Sequence, residues 1–409
     1  MSIFDDNLSR LKKVQELESI SEVEMSVLYQ PILVNQADLD INGKVYPAWR
    51  IIFNNDLGPG KGGIRFHPDV SPDEVQSLAF WMALKNSLAD IPYGGAKGGV
   101  KFNPKEASLE ELELVSRRYI DAFYKDLGQD KDIPAPDVYT NPQIMSWMLD
   151  QYEKNVGHHE PGMITGKPVE LGGLALRSDS TAKGGYIVTK EAAAKFLPNQ
   201  SEKKVVIQGF GNAGLYMTKM LFDDDYKIIA VSDSQGGIYA EDGLDINAVI
   251  EHKQAKNPVG TFPNVKTITN AELLELETDI LVLAALENQI NKDNAQNIKA
   301  KCIVELANGP ITAEADEILF ANNIPVVPDI LANSGGVIVS YFEWAQNRAG
   351  SIIDNDYLAS LLEKKMKNNW FRVYSKYEEK EKKVNLRTAA YILAIKRILT
   401  AAKLRGRIK

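Results

Sequence analysis

The sequence has little cysteine, no excess of positive charge and no long apolar segment, and each absence excludes a class of protein. A single cysteine in 409 residues, Cys302, excludes a disulfide framework and a multi-cysteine zinc site. The formal net charge of −8 argues against a basic surface that binds nucleic-acid phosphates. Apolar runs such as residues 280–286 are far shorter than the roughly 20 residues needed to cross a bilayer. We therefore expect no nucleic-acid partner and no membrane partner.

Histidines and targeting signals are also scarce. There are four histidines, and the adjacent pair His158 and His159 has no partner four residues further on. We interpret this pair as part of a polar loop and expect no metal site. The N-terminal residues MSIFDDNLSR contain no apolar core typical of a secretory signal, so a cytoplasmic location is expected.

What is present is an ordinary globular composition, 44% hydrophobic and 25% charged, in a chain long enough for two domains. Residues 1–30 are predicted to be helical, and residues 31–56 have the alternation of β-strands. A helix is predicted to begin after Ser71 as N-cap, with Pro72 at its first position and Glu74 closing a capping box. Further helices are expected over about 108–127 and after Asn141. These elements predict an α/β domain over residues 1–181.

The middle of the chain alternates short apolar runs with helical stretches. The runs lie at 203–210, 227–234, 279–286, 301–306 and 324–330. Apolar runs without polar alternation are typical of parallel strands that are buried on both faces. We therefore predict a doubly wound, Rossmann-like α/β domain over residues 182–369.

The last segment, residues 370–409, is rich in lysine and arginine. Its RTAAYILAIKRI stretch, from Arg387, has the apolar spacing of an amphipathic helix with a solvated basic face. This segment is predicted to return to the first domain as a C-terminal helix.

A dinucleotide-binding pattern opens the second domain. A G-x-G-x-x-G sequence follows the run KVVIQ and precedes the helical stretch LYMTKMLF, the context that allows pyrophosphate to approach a helix N-terminus. An ordinary glycine turn is the alternative. Asp233 ends the next predicted strand, where a carboxylate would accept ribose hydroxyls and favour NAD, whereas the following Ser234 would tolerate the phosphate of NADP. The residues of the pattern are Gly209, Phe210, Gly211, Asn212, Ala213 and Gly214.

Two glycine–lysine segments, residues 58–63 and 94–99, stand out in the first domain. We interpret them as loops in which glycine lets the backbone fold tightly around a small ligand that Lys61 or Lys97 then reaches. Neither fits G-x-x-x-x-G-K-[ST], which argues against a P-loop. Solvent-exposed lysines in flexible loops are the alternative for either segment taken alone.

A third lysine, Lys85, lies on the predicted helix after Ser71, with Met82 one turn earlier on the same face. Ammonium groups that converge on one pocket bind carboxylates and lower one another's pKa, so that one of them is able to act as a base near neutral pH. Asp137, at the end of a stiff Pro-Ala-Pro-Asp segment, offers an acidic partner. Together these residues predict a site for a small acidic substrate.

These residues belong to a series of motifs that resembles the Glu/Leu/Phe/Val dehydrogenase family, and within it the glutamate dehydrogenases. The resemblance runs from about residue 25 to the end of the chain. It implies an N-terminal substrate domain, a Rossmann-like NAD(P) domain and the returning C-terminal helix. The motifs, in chain order, are KGGIRF, ALKNSL, IPYGGAKGG, PAPDVYT, GFGNAG, ELANGP, PDILANSGGVIVSYFEWAQN and RTAAYILAIKRI.

The resemblance also implies roles for residues of the first domain. Lys85 would pair with the substrate α-carboxylate, and Met82 would lie beside it. Lys97 would be the catalytic lysine of low pKa that activates water, and Asp137 would carry protons to and from the α-amino group. Arg177 matches an arginine on the wall of the site.

Further residues match the family's coenzyme and specificity positions. Thr181 matches a threonine that contacts the nicotinamide amide, and Asn308 and Asn333 match asparagines near the nicotinamide ribose and amide. Lys61 and Ser340 match the pair that binds the side-chain carboxylate of glutamate. Family members acting on leucine, valine or phenylalanine have apolar residues there, and a buried ammonium facing a methyl group would be left unpaired.

The expected activity is therefore the reversible oxidative deamination of L-glutamate to 2-oxoglutarate and ammonium with NAD or NADP, of which Asp233 favours NAD. The resemblance also implies a homo-oligomer, in particular a homohexamer. The alternatives are a leucine-, valine- or phenylalanine-type dehydrogenase of the same family and a non-catalytic paralogue. The presence of Lys85, Lys97 and Asp137 argues against the paralogue.

Overall fold

A computed structural model of the chain describes residues 3–408, which group into two compact units. Unit 1 contains the described residues up to Arg177, Val337–Ser360 and those from Tyr391 onward, and unit 2 contains Ser178–Gly336 and Leu361–Ala390. The predicted division at residues 181 and 369 differs from this grouping in where the C-terminal segments are assigned. As a statement about functional domains it stays a prediction.

The strands of unit 1 form one mixed sheet. Its order within the described residues is β1-β2-β4-β3-β5, with β1, β2 and β4 paired antiparallel and β3 parallel to both β4 and β5. The strands are β1 (Leu33–Ile41), β2 (Lys44–Asn54), β3 (Gly60–His67), β4 (Gly95–Lys101) and β5 (Asp132–Pro136). The helices up to β5 and just beyond it are α1 (Ile3–Glu18), α2 (Glu22–Met25), α3 (Pro72–Leu88), α4 (Leu109–Phe123) and α5 (Pro142–Val156).

The helix predicted over residues 1–30 is interrupted. The chain turns at Ser19, whose φ is +50°, and Ser21 then caps α2 with its side chain. The prediction for α3 is confirmed at Ser71, whose side chain accepts from the Glu74 N–H, and at Pro72 in the first turn. The predicted capping box is wrong, because the Glu74 carboxylate instead pairs with Arg65.

The core of unit 1 lies between the sheet and α4 and α5. Buried side chains such as Ile64 and Phe66 of β3 pack with Tyr119 and Met148 of these helices. One ion pair is also buried: Arg50 of β2 donates to Asp132 of β5 at 2.6 and 2.5 Å, and both side chains are fully inaccessible.

The second sheet confirms the predicted Rossmann-like fold. Five strands, in the order β12-β11-β10-β6-β7, pair in parallel, and two further strands, β8 and β9, extend the sheet in antiparallel pairing. The strands are β6 (Lys204–Gln208), β7 (Lys227–Asp233), β8 (Gly236–Tyr239), β9 (Lys266–Ile268), β10 (Thr278–Leu283), β11 (Ala300–Glu305) and β12 (Val326–Val327). The helices of this part of the chain are α6 (Ser180–Phe196), α7 (Asn212–Asp223), α8 (Ile246–Gln254), α9 (Asn270–Leu274), α10 (Ala313–Ala321) and α11 (Asp329–Ala332).

Three long helices complete the chain: α12 (Gly335–Ala349), α13 (Asn355–Glu379) and α14 (Leu386–Leu404). The predicted C-terminal helix is confirmed as α14. Its basic face is not solvated throughout, because Arg387 is only 3% exposed and is surrounded by carboxylates. Short 3-10 turns lie at Ser26–Leu28, Pro161–Met163, Val169–Leu171, Ala175–Arg177, Val259–Thr261 and Ala295–Asn297.

None of the helices within residues 3–408 combines the length and the apolar character needed to cross a membrane.

Candidate active site

The two glycine–lysine segments are strands, not the loops that were predicted. Lys61 lies on β3 and Lys97 on β4, in the middle of the unit 1 sheet. The glycines permit close packing there. A Cβ at Gly95 would lie 2.2 Å from the Ala83 backbone nitrogen, so the strand of Lys97 packs directly against α3, which also carries Met82 and Lys85.

Lys97 and Asp137 contact each other in a nearly buried pair. The Lys97 Nζ lies 2.7 Å from Asp137 Oδ1, and the two side chains are 5% and 17% exposed. The backbone of Asp137 is fixed by Thr140, whose hydroxyl accepts from the Asp137 N–H at 2.7 Å. Sequence reasoning placed both residues in one site, and the structure brings them into hydrogen-bond contact.

A third charged side chain completes this group. Arg65, two residues before the end of β3, donates from Nε to Asp137 Oδ2 at 2.9 Å, and its other nitrogen contacts Glu74 of α3. Arg65 belongs to the motif KGGIRF, but no role was predicted for it from the sequence. Its position was the available signal, because Lys61, Gly63 and Arg65 alternate along β3, the strand that pairs with the strand of Lys97.

The electrostatics of the group are unusual. Burial lowers the pKa of the Lys97 ammonium, an effect that the Asp137 charge opposes and the Arg65 charge reinforces. Burial alone would raise the pKa of the Asp137 carboxyl, but the charges and hydrogen bonds of Lys97 and Arg65 hold it well below its ordinary value. The arrangement therefore favours a lysine that loses its proton unusually easily beside a firmly ionised carboxylate.

Lys61 is the most deeply buried of the three lysines. Its ammonium donates to the main-chain carbonyls of Ile133 and Pro134, each at 3.3 Å. The whole residue is only 1% exposed. Burial lowers the pKa of Lys61 well below its ordinary value, and the charges of Arg50 and Arg177 lower it further. An ammonium in this position would be strongly stabilised by a carboxylate brought in by a ligand.

Helix α12 contributes the Glu343 carboxylate to the surroundings of Lys61. The Glu343 charge raises the pKa of both Lys61 and Arg177, and Ser340 lies buried one turn before Glu343 on the same helix. Glu343 also accepts from the main-chain N–H of Gly166 and pairs with the Lys167 ammonium at 2.8 Å. The Glu343 charge therefore acts on both Lys61 and Arg177, and no role was predicted for Glu343 from the sequence. The predicted role of Ser340 at this site stays a prediction.

Thr165 is a further residue that the sequence did not single out. It is fully buried, and its N–H donates to the Pro134 carbonyl that also accepts from Lys61. Its hydroxyl makes no hydrogen bond within the described residues. An unsatisfied buried hydroxyl beside a buried ammonium is suited to a polar group supplied by a ligand.

In unit 2, the glycine pattern forms the turn between β6 and α7. Gly209 has a φ of +97°, and a Cβ at Gly214 would lie 1.9 Å from the Gly209 carbonyl oxygen. A Cβ at Gly211 would meet nothing within 4 Å. The protein itself therefore requires glycine at the first and third positions, whereas at the second the absence of a side chain leaves open space in front of the α7 N-terminus. Phe210 is buried below this turn, and Asn212 and Ala213 form the first turn of α7.

This turn lies where the strand order reverses. Strand β6 pairs with β7 on one side and β10 on the other, and β11 follows beyond β10. Ligands of open α/β sheets bind outside the carboxyl ends of the strands at such a point. The segments just beyond these ends contain Asp233, Ser234 and Asn308.

Asp233 is more enclosed than expected. Its Oδ2 accepts from the Lys253 ammonium at 2.6 Å and from the Val259 N–H at 2.9 Å, and its Oδ1 accepts from the Gln235 N–H. The side chain is 9% exposed, whereas Ser234 beside it is exposed. The predicted contact of Asp233 with ribose hydroxyls stays a prediction, but its carboxylate is already paired within the unit.

Asn308 and Asn333 are in contact at the other side of the turn. The Asn333 amide nitrogen donates to Asn308 Oδ1 at 3.0 Å and to the Leu306 and Ala307 carbonyls, whereas its buried Oδ1 has no hydrogen-bond partner within residues 3–408. A ligand amide would satisfy that acceptor. Thr181 is half-buried in the first turn of α6, with no contact that fixes its role.

Unit 2 thus has the fold of a dinucleotide-binding protein, and unit 1 holds buried cations, among them a lysine whose pKa is lowered by burial. Residues 172–406 match the family described as Glutamate/Leucine/Phenylalanine/Valine dehydrogenase. Residues 31–154 match the Glu/Leu/Phe/Val dehydrogenase, dimerisation domain. The chain belongs to the Glu/Leu/Phe/Val dehydrogenase family, as its motifs indicated.

Relatives of known name are similar over the whole chain. The NADP-specific glutamate dehydrogenase of Saccharolobus shibatae is 45% identical over 99% of this chain and 97% of its own length. A cryptic catabolic NAD-specific glutamate dehydrogenase of Bacillus subtilis is 43% identical over 98% and 93%. Among solved structures, the hetero-hexameric glutamate dehydrogenase of Thermus thermophilus, in a Leu-bound form, is 33% identical over 99% of this chain and 97% of that one, with a TM-score of 0.92.

Proposed function

We propose that the protein is an NAD(P)-dependent glutamate dehydrogenase, which converts L-glutamate, water and NAD(P)⁺ reversibly into 2-oxoglutarate, ammonium, NAD(P)H and a proton. The observation that carries this proposal is the buried contact between Lys97 and Asp137, because oxidative deamination needs two separate proton transfers. Further support comes from the relatives, which are named glutamate dehydrogenases and are similar over 98–99% of this chain.

The substrate is held by cations of unit 1. Lys85, on the last turn of α3, pairs with the α-carboxylate, with Met82 one turn away on that helix. Lys61, together with Ser340 and Arg177, receives the side-chain carboxylate. The reason for choosing glutamate is that a buried ammonium that makes main-chain contacts of 3.3 Å gains most from an anionic partner. A leucine or valine side chain would leave that ammonium unpaired.

Lys97 and Asp137 perform the proton transfers. Asp137 accepts a proton from the substrate amino group and later returns one to the leaving ammonia. Lys97, whose pKa is lowered by burial, removes a proton from water as the water attacks the α-imino carbon. The bound nicotinamide coenzyme supplies the hydride acceptor. The glycine turn from Gly209 to Gly214 would hold its pyrophosphate, and Asn308, Asn333 and Thr181 would hold its nicotinamide end.

The proposal is tested by replacing Lys97 and a matched lysine on the same strand. Lys97→Ala is expected to lower turnover of glutamate by about 10²–10⁴-fold, the usual contribution of a positioned base, while NADH still binds. Lys101→Ala is the control, because Lys101 is the exposed last residue of β4. Initial rates and NADH fluorescence titrations are measured for both variants. Wild-type turnover in Lys97→Ala would contradict the assignment of the catalytic base.

We further propose that the enzyme accepts both NAD(H) and NADP(H). Asp233 was expected to favour NAD by repelling the 2′-phosphate, but Lys253 balances its charge at 2.6 Å and Ser234 beside it is exposed. The rates of NADH and NADPH oxidation with 2-oxoglutarate and ammonium should therefore be comparable when measured side by side. Lys253→Gln is expected to shift the ratio about tenfold toward NADH, because the Asp233 charge is then uncovered. An unchanged ratio would contradict the role of Lys253.

A further inference from the structure

Arg387, in the first turn of α14, is a buried cation that the proposed mechanism does not use. It lies among three carboxylates of unit 2, with hydrogen bonds to Glu305 at 2.7 Å, Asp316 at 3.1 Å and Asp329 at 3.4 Å. All four side chains are at most 7% exposed. Asp316 is also held by the Asn385 amide at 2.7 Å. One guanidinium therefore joins the ends of β11 and α14 with α10 and α11.

Two of these carboxylates continue into the loop that follows β11. Glu305 is the last residue of that strand, and its second oxygen accepts from the Asp329 N–H at 2.8 Å. Asp329 in turn accepts from the Gly309 N–H at 2.9 Å. Because Gly309 has a φ of +56°, this bond fixes the loop at a residue with a left-handed backbone. Asn308 is the residue directly before Gly309 in the chain.

The C-terminal end of α11 also contacts the loop that follows β11. Asn333, the C-cap of this four-residue helix, donates to the carbonyls of Leu306 and Ala307 and to the Asn308 side chain. The loop of residues 306–309 is therefore attached at one end of α11 by Asp329 and at the other by Asn333. The position of both asparagines depends on where α11 lies, and Arg387 ties α11 to the strand.

We propose that Arg387 and its carboxylates form a clamp that positions Asn308 and Asn333 for the nicotinamide end of the coenzyme. In this role Arg387 and Asp329 are positioning residues, which act through the asparagines without touching the coenzyme. The inference rests on the proposed function, since it takes a nicotinamide dinucleotide as the ligand of unit 2. It goes beyond it in assigning the C-terminal helix a part in coenzyme recognition.

The composition of the clamp supports positioning over mere stabilisation. Replacing a buried ion cluster by apolar residues often leaves a protein as stable or more stable, so the cluster needs another reason to be there. A guanidinium with fixed donor directions sets the relative positions of three elements, which an apolar contact does not do. Burial raises the pKa of Glu305 to about 7, an effect that the Arg387 charge opposes.

The test compares two buried aspartates of unit 2 at opposite ends of the sheet. Asp329→Asn weakens the clamp, whereas Asp279→Asn is the matched control. Asp279 similarly accepts from a main-chain N–H, that of Lys204 at 2.8 Å, and pairs with Lys301 at 2.9 Å, but it lies at the amino end of β10. Both variants are titrated with NADH and with ADP, which lacks nicotinamide and the ribose that carries it. Arg387→Lys, which keeps the charge and loses the fork of donors, is the second clamp variant.

The clamp predicts a selective loss. In Asp329→Asn and Arg387→Lys the affinity for NADH is expected to fall about tenfold or more, while that for ADP stays within about twofold of wild type. Asp279→Asn should bind both ligands as wild type does. Equal losses for NADH and ADP, or no loss, would overturn the clamp while the wild-type enzyme still converts glutamate. Failure of the wild-type protein to bind NADH or NADPH would instead overturn the proposed function.

Discussion

At the residue scale, Lys97 has neighbouring charges of both signs, which change the pKa of its ammonium in opposite directions. The Arg65 charge lowers the pKa of Lys97, and the charges of Asp137 and Glu74 raise it. Since the proposed base must be neutral, turnover should rise with pH through the pKa of Lys97. The position of that rising limb therefore reports on each neighbouring charge separately.

Removing Arg65 should move the acidic limb to higher pH. In Arg65→Gln the like charge near Lys97 is lost, so its proton is held more tightly and the limb of kcat/KM is expected to shift upward by about one pH unit. The opposite variant on the same contact is Glu74→Gln, which removes a carboxylate and should shift the limb downward. The cap of α3 is kept, because Ser71 accepts from the Glu74 main-chain N–H. Shifts of the same sign in both variants would show that the charges do not act on Lys97 as described.

At the element scale, the unit 1 sheet is held by an ion pair that spans it. Arg50 reaches from β2 to Asp132 on β5 and donates on the way to the Gly62 carbonyl of β3. A Cβ at Gly60 would lie 2.8 Å from Asp132 Oδ1, so glycine on β3 leaves room for the carboxylate. The glycines of the Lys61 segment therefore serve the sheet as well as any ligand.

Breaking this pair from one side should be costly. Asp132→Ala leaves the Arg50 guanidinium buried without its carboxylate, and we expect a loss of about 3–5 kcal/mol in the free energy of unfolding. Asp150→Ala is the control, because Asp150 is 48% exposed and pairs with Arg117 and Lys154 at the surface, where such pairs contribute about 0–1 kcal/mol. Urea denaturation followed by circular dichroism measures both variants. A similar small loss in the two would contradict the importance of the buried pair.

Helix caps and apolar runs in the sequence predicted the helices and strands that depend on interactions within a few residues. Ser71 and Pro72 start α3, Asn141 caps α5, and the apolar runs become the parallel strands of unit 2, because capping and burial patterns act within a few residues. The glycine–lysine segments were assigned to loops, since glycine usually disfavours strands. The packing of β4 against α3 explains glycine at position 95, and the room needed by the Asp132 carboxylate explains glycine at position 60.

The partners of charged side chains were less predictable than the elements. Lys97 and Asp137 were predicted to share a site from the glycine–lysine and Pro-Ala-Pro-Asp segments, and the family motifs then implied their roles. No role was predicted for Arg65, Glu343 or Thr165. Asp233 is paired with Lys253 from α8, and Arg387 with three carboxylates more than fifty residues earlier in the chain. Such contacts depend on which strands and helices become neighbours, and spacing along the sequence does not encode that.

At the scale of the whole molecule, the chain passes between the two units more often than its length suggested. The boundaries at 336/337, 360/361 and 390/391 fall within α12, α13 and α14, so that no linker marks them. Composition and turn residues locate domain boundaries only where the chain leaves a helix or strand. This is the physical reason why a boundary inside a continuous helix was not foreseen.

The last prediction concerns assembly, which we propose is a homohexamer. Strand β1 is an edge of the unit 1 sheet, where it pairs with β2 among the described residues, and its Val34 is 53% exposed. A long edge strand with an exposed apolar side chain is a surface that proteins normally cover. Val34 lies in the stretch that matches the family's dimerisation domain, and a relative of known structure is a hetero-hexameric glutamate dehydrogenase. Light scattering after size exclusion should therefore give six times the mass of the chain.

Val34→Lys should lower that mass by burying a charge at the edge, whereas Lys44→Gln, at an exposed position on β2, should not. A monomeric mass for the wild-type protein would contradict the assembly, and an unchanged mass for Val34→Lys would exclude this edge from it.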